Sequence, residues 1–216
     1  MEGIFGYFLY IMRGSGTTLA LTFGTFLFSV PLGILGAVGK VSGGKVLRYI
    51  LTFYTWLFRG TPLLLQVFFV YYGLPFISPA LTINSAFIAA LLTFILNYTA
   101  YFIEIFRGGI ESIDTGQYEA SKALGLNYRQ TMMHIIFPQT IRRIVPTTSS
   151  ETVNLVKDTA LVAVIGLSEL SRSAKEIVTR EAIITPFIIA AIIYLALNSV
   201  IMYVFRRIEE KNKIYG

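Results

Sequence analysis

The sequence predicts an all-α integral membrane protein with five transmembrane helices, and three observations carry that expectation. Hydrophobic residues make up 55% of the 216 positions against 14% charged, with a mean hydropathy of +0.67; soluble domains carry about a quarter charged residues. The apolar residues gather in uncharged runs long enough to cross a hydrocarbon core, which needs about 20 residues. Basic residues then fall unequally on the two sides that those runs define. The length leaves room for one membrane domain, 1–216, and no sizeable second one.

The first uncharged run, Gly14 to Gly39, is preceded by Glu2 and Arg13 rather than by a basic region and a small-residue cleavage site, so it reads as a retained span, Thr17–Gly39. Gly60 to Ile103 is uncharged for 44 residues, too long for one helix, and Gly73-Leu74-Pro75 with Ser78-Pro79 breaks it. It yields spans at Ile50–Gly73 and Ile83–Phe106. Ile144–Ser168 is long enough to cross but carries Glu151, Lys157 and Asp158, and is expected to hide that face from lipid. Ala182–Phe205, ending at Arg206-Arg207, is the last span. Pro31, Gly33 and Gly36 in the first span are expected to permit bending or close helix approach.

Lys40, Lys45, Arg48, Arg107, Lys122, Arg129, Arg142, Arg143, Arg206, Arg207, Lys211 and Lys213 then share one side, against Arg13, Arg172, Lys175 and Arg180 on the other. This excess puts the N-terminus outside and the C-terminus in the cytoplasm. The net charge of +6 is thereby absorbed by topology, leaving no argument for a nucleic-acid partner. With no cysteine and a single histidine, His134, neither a thiolate site nor a histidine metal cluster can form. No phosphate-binding loop and no nucleophile beside a base occurs, so the chain is not expected to be an enzyme or to bind a cofactor.

The charged segment between the third and fourth spans, about 107–143, predicts a pair of short helices. Asp114 and Gln117 have capping-box spacing, and Gly125 suits a left-handed stop. Asn127 with Gln130 starts a second helix, which Pro138 is expected to limit. Glu119-Ala120-Ser121, three residues, Gly125, nine residues, then Ile135-Ile136-Phe137-Pro138 resembles the EAA loop of ABC importer permeases, with Ser121 for the third alanine and Phe137 for leucine. Gly16-Thr17-Thr18-Leu19, Arg59-Gly60-Thr61-Pro62-Leu63-Leu64 and Tyr101 to Ile110 are similar to the polar amino-acid (histidine/glutamine/arginine type) branch of that family. The resemblance implies a coupling role for Glu119, Ala120, Ser121 and Gly125. It also implies two cytoplasmic ATPase subunits holding the ATP and magnesium, a second permease subunit, identical or homologous, an extracytoplasmic solute-binding protein, and a prokaryotic cytoplasmic membrane.

Ionisable groups within a span are costly and mark a pathway by default. Asn97, Tyr101 and Glu104 recur at i, i+4 and i+7, and Glu151, Asn154 and Asp158 at i, i+3 and i+7, so each set shares a helical face. Two such stripes around one cavity make a negative pocket suited to a basic amino acid, arginine, lysine or histidine. Arg59 is the intramembrane cation placed to meet the substrate carboxylate, beside a break expected at Pro62, which leaves the carbonyl of Phe58 without its helical partner. The alternatives are internal ion pairs among these acids and Arg59, Lys157 or Arg107, with Glu104 the weakest candidate because Arg107 lies at i+3, and an Arg59 that reaches toward the interface. Lys157 also suits a dimer interface. Glutamine or glutamate transport, a secondary transporter, an ion channel and a membrane scaffold are the rival functions; the absence of an evident internal repeat weighs against the second.

Overall fold

The computed structural model describes residues 3–212, and every described regular element is helical. Glu2 and Lys213, used in the charge reading, lie outside the described residues. Helix α1, Ile4–Ser42, is the long mast of the fold. It is followed by α2, Lys45–Gly60, and by α3, Leu63–Ile77, which contains one π-helical turn at Phe69–Gly73. A 3₁₀ turn at Pro79–Leu81 leads to α4, Ala86–Glu111, capped at its start by the Ser85 hydroxyl. Helix α5 is Thr115–Ala123. Helix α6 runs through 128–158 and unwinds into a 3₁₀ stretch, Thr159–Ile165. Helices α7, Leu170–Glu181, and α8, Thr185–Asn212, complete the chain.

Helices α1, α4 and α8 are each long and apolar enough to span a membrane, and α2 with α3 passes the same test as a pair bent by 100°. Helix α6 does not pass on length and composition, because Arg142, Arg143, Glu151, Lys157 and Asp158 interrupt it. Most boundaries shift from the sequence reading, the helix of the fourth span beginning at 128 rather than Ile144, and two further differences stand out. Helix α1 starts near Ile4 rather than Thr17, since Arg13 is exposed and does not end it, and the segment before the last span is a separate helix, α7, rather than plain loop. Pro138 does not limit the helix that starts at Asn127: the chain shifts to π-helical bonding over Thr131–Ile136 and carries on as α-helix through the proline. A π turn re-registers the ladder just where the ring removes a donor, so the helix bends its bonding instead of stopping.

The centre is the α1–α4 pair. A β-carbon on Gly33 would collide with that of Phe102 and sit 3.1 Å from the Phe102 carbonyl carbon, so only glycine lets the two backbones come this close. Phe94, Tyr98 and Phe102 of α4 are fully buried with Leu21, Leu155 and Val162 around them. Because lipid is as apolar as these side chains, their contribution is packing rather than release of water. Buried hydroxyls are returned to the helix backbone: Thr22 donates to Thr18, Thr93 to Ala89 and Thr152 to Thr148, at 2.7–2.8 Å. At the other end of α1, Gly14 lies against the backbone of Glu169, where an added β-carbon would stand 2.6 Å from the Glu169 carbonyl carbon. Glu169 is wholly buried and caps α7, accepting from the Ser171 and Arg172 amides, the Ser171 hydroxyl and Tyr194. The α5–α6 loop sits near the opposite end of α1, where Ser42 hydrogen-bonds Tyr128.

Candidate functional site

The α2–α3 elbow builds one wall of the site. Pro62 offers no amide hydrogen to the carbonyl of Phe58, four residues back. That carbonyl instead accepts from the side-chain amides of Asn97, at 3.0 Å, and Gln66, at 2.9 Å. Thr61 folds back to donate to the carbonyl of Leu57 at 2.9 Å. With these groups satisfied, the chain turns through 100° at Gly60–Pro62 and presents Arg59 and the Gly60–Leu64 strip to a cavity of about 740 Å³.

Asn97, Tyr98 and Tyr101 of α4 and Glu151, Asn154, Lys157 and Asp158 of α6 line the rest of it. The two polar stripes read from the sequence, apart from Glu104, therefore face one space. Tyr98 donates to Asp158 at 2.7 Å. No Lys or Arg nitrogen of the described residues lies within 4.0 Å of Glu151 or Asp158, so the chain offers these two acids no basic partner at contact distance. The Arg59 guanidinium stands over the Tyr101 ring, 5.2 Å from its centre, in cation–π geometry.

A second cavity of about 630 Å³ continues from the first, sharing Arg59, Tyr101 and Glu151 and adding Glu104, Arg107 and Arg143. Glu104 differs from the other two acids. It is the hub of a charge network, hydrogen-bonded by Lys40 of α1, paired with Arg107 at 2.7 Å and reached by Arg59 at 4.0 Å; Arg107 also pairs with Glu111. The internal-pair alternative is thus what the geometry gives for Glu104, through Lys40 and Arg107. Asn97 likewise spends its amide on the elbow, donating to Phe58 and, at 3.0 Å, to Gln66.

The sequence reading missed Gln66, Tyr98 and Lys40. Gln66 was visible as the single glutamine inside a 44-residue uncharged run. Tyr98 looked like bulk aromatic, and Lys40 like a loop charge, because only the fold shows that each reaches an acid on another helix.

The loop between α4 and α6 has the Asn127–Gln130 box and the left-handed Gly125 that its sequence specifies, but Asp114 caps α5 without a reciprocal bond from Gln117, whose amide oxygen accepts from Gln139. Asp114 accepts from the Gly116 amide at 2.7 Å, Gly125 is left-handed at φ +73°, and Asn127 and Gln130 form a reciprocal capping box. Glu119 and Ala120 face outward, with Leu124 also exposed, whereas Ser121 is buried and bonds back to the Gln117 carbonyl at 2.7 Å. Burial of Tyr118 beneath the helix pushes its hydroxyl pKa up, with Tyr128 adding to the effect, so it stays neutral near pH 7. Arg143 donates to the Ser112 carbonyl and Gln139 to Gln117 at 3.2 Å, fixing the loop to the start of α6.

Residues 29–214 match the family described as binding-protein-dependent transport system inner membrane component. The chain is 38% identical over 206 residues to the putative glutamine transport system permease protein GlnP of Rickettsia typhi, covering 94% of this chain and 93% of that protein. It is 37% identical over 205 residues to the arginine transport system permease protein ArtQ of Bacillus subtilis, with the same coverage. Among solved structures, an amino acid ABC transporter with histidines superposes with a TM-score of 0.87 at 32% identity, covering 96% of each chain. The MetNI methionine ABC transporter, at 20% identity and a TM-score of 0.78, shares the fold.

Proposed function

Because the chain belongs to the family of binding-protein-dependent transport system inner membrane components, a family of multi-pass membrane proteins, we propose that it is the permease subunit of an ATP-driven importer of polar amino acids, with basic side chains preferred. The observation that carries the reading is the cavity between the elbow and α6: two acids, Glu151 and Asp158, unpaired at contact distance, opposite one exposed arginine. An arginine, lysine or histidine substrate places its carboxylate on Arg59, in a bidentate pairing that a guanidinium is shaped for, and its two cationic groups on the two acids. Desolvating any of these charges alone is costly, so the cavity favours solutes that answer all of them.

Helix α6 supports the coupling half of the reading. It runs about 46 Å from the Asn127 cap to Asp158, continuous through its π-helical stretch at Thr131–Ile136. Motion delivered to the loop at Glu119, Ala120, Ser121 and Gly125 therefore reaches Glu151, Asn154 and Asp158 along one rigid element. In this reading the exposed loop seats on one of two cytoplasmic ATPases, which bind the ATP and magnesium. A second permease copy or homologue faces this one, and a solute-binding protein delivers the amino acid from outside. Helix α6 is then the fourth of five spans, its polar face turned to the cavity, with the N-terminus outside and the C-terminus in the cytoplasm of a prokaryote.

Glutamine is the second reading. Lys157 also lines the cavity, and if it balances Asp158 the remaining pair, Arg59 and Glu151, matches a neutral amino acid's carboxylate and ammonium; relatives named for glutamine and for arginine both align over nearly the whole chain. Competition for ATP-dependent uptake into proteoliposomes separates the two. Unlabelled arginine displacing labelled arginine at far lower concentration than glutamine is the expected result, and Asp158→Asn is expected to weaken arginine more than glutamine. Glutamine winning the competition overturns the basic preference, and uptake without ATP or the ATPase revives the secondary transporter.

A further inference from the structure

We propose that Gln66 is a positioning residue for import: with Asn97 it forms an amide clamp that fixes the α2–α3 elbow and so holds Arg59 at the cavity. The proposal deepens the reading of that cavity as the amino-acid site and rests on it for its transport arm.

Helix α2 ends at the break with carbonyls that have lost their ladder partners, and a group left so at membrane depth has no water to turn to unless the cavity supplies it. The Gln66 amide nitrogen lies 2.9 Å from the Phe58 carbonyl, 2.8 Å from the Thr61 hydroxyl and 3.2 Å from the Thr61 carbonyl. Its oxygen accepts from Asn97 at 3.0 Å, and the second function of the Asn97 amide is to donate to the same Phe58 carbonyl. One side chain of α3 thus ties together the last turn of α2, the crossing peptide and α4. Asn97 is buried at 3% exposure, so water does not readily substitute.

Arg59 is the next residue after Phe58, and among the described residues its side chain is otherwise held only by the Tyr101 ring and a 4.0 Å approach to Glu104. Its position is therefore set by the peptide that the clamp secures. Removing the Gln66 donor leaves the Phe58 carbonyl to Asn97 alone and cuts the tie from α3 to Thr61, which lets the elbow angle vary and moves the guanidinium relative to Glu151 and Asp158. A shift of about 1 Å in a positioning group costs up to about 100-fold. The effect belongs to substrate affinity, because the clamp lies at the cavity and far along the chain from the coupling loop.

The test uses the assembled transporter with Gln66→Leu and Gln66→Glu. Glutamate keeps the size and the acceptor for Asn97 but offers no donor to Phe58 or Thr61, so it is expected to fail as leucine does. For either variant the KM for labelled arginine is expected to rise about 10- to 100-fold with kcat little changed and the ATPase still co-purifying. Because the chain has no cysteine, spin labels at Leu57→Cys and Leu65→Cys report the elbow directly, and their distance distribution is expected to broaden in both variants. A wild-type KM with a narrow distribution in Gln66→Glu overturns the clamp, as does loss of kcat without change in KM. Should the wild-type transporter import neither arginine nor glutamine, the amino-acid reading fails, while the label distances still decide whether the clamp exists.

Discussion

Replacing Glu104 by glutamine distinguishes a structural hub from a substrate ligand. The Glu104 side chain is 13% exposed and that of Lys40 11%, and the carboxylate is the only anionic group that meets this ammonium within 4.0 Å among the described residues. After Glu104→Gln, Lys40 meets only neutral acceptors, the new amide oxygen and the Thr55 hydroxyl at 3.0 Å. Removing one member of a buried pair costs about 3–5 kcal/mol, because the other charge stays desolvated. The lower end applies here, about 3 kcal/mol, since Arg107 retains Glu111 and a lysine near a helix end can reach outward. Lys40→Met combined with Glu104→Leu removes both charges and is expected to recover most of that loss. Thermal unfolding of the purified protein in detergent measures stability, and arginine uptake measures affinity. The reasoning is refuted if Glu104→Gln leaves stability within about 0.5 kcal/mol, the range of a neutral surface change, yet raises the arginine KM as far as Glu151→Gln does.

Three further outcomes follow from single positions. Gly33→Ala forces α1 away from Phe102 and is expected to cost about 1–3 kcal/mol, read as a lower unfolding temperature. Gly125→Val places a branched side chain at φ +73°; the strain of about 1–2 kcal/mol is expected to loosen the loop and reduce ATPase co-purification while solute binding persists. The Tyr10 hydroxyl, 2.7 Å from Glu176, and Arg172 beside it hold the Glu176 carboxyl below the usual carboxylate range. A depressed folded pKa stabilises above the unfolded value, about 4.3, and that contribution is lost as pH falls through the folded one. Unfolding temperatures of wild type and Glu176→Gln should therefore converge below about pH 4 and separate above it.

What the sequence disclosed and what it withheld divide along the range of the interactions involved. The Asp114 cap, the Asn127–Gln130 box and the left-handed Gly125 all depend on residues within four positions of one another, and each was legible. The break at Pro62 was legible too, because a missing amide hydrogen is a property of the residue itself. Its repair was not, since Asn97 lies 39 positions from Phe58 and nothing local pairs them. Lys40 shows the same limit: its charge helped to set the orientation, but its reach back into the bundle depends on how α1 crosses α4. Helix α7 went unseen because a charged segment between spans looks like loop until Glu169 is known to cap it from a buried position. Pro138 misled in the opposite direction, since the rule that proline ends helices ignores the π turn able to absorb it.

The polar groups around the cavity sort themselves by what they have already spent. Both walls are places where a helix gives way, α2 at Gly60–Pro62 and α6 at Thr159, and broken backbone inside a membrane persists only if its freed groups find partners or line water. On the first wall Asn97, Gln66 and Thr61 serve the backbone. On the second the Thr159 hydroxyl donates to the Val156 carbonyl at 2.7 Å, and Arg172 reaches the Ala163 carbonyl at 3.2 Å. Glu104 is consumed by Lys40 and Arg107. Subtracting these from the residues that face the space leaves Glu151, Lys157 and Asp158 without an ionic partner among the described residues and Arg59 with only a 4.0 Å approach to Glu104, and all four line the same cavity. A fold that spends Asn97, Gln66 and Thr61 on its own backbone while two anions and two cations line one cavity suits the proposed zwitterionic solute, and whether Lys157 turns toward Asp158 decides if a second positive charge is welcome there.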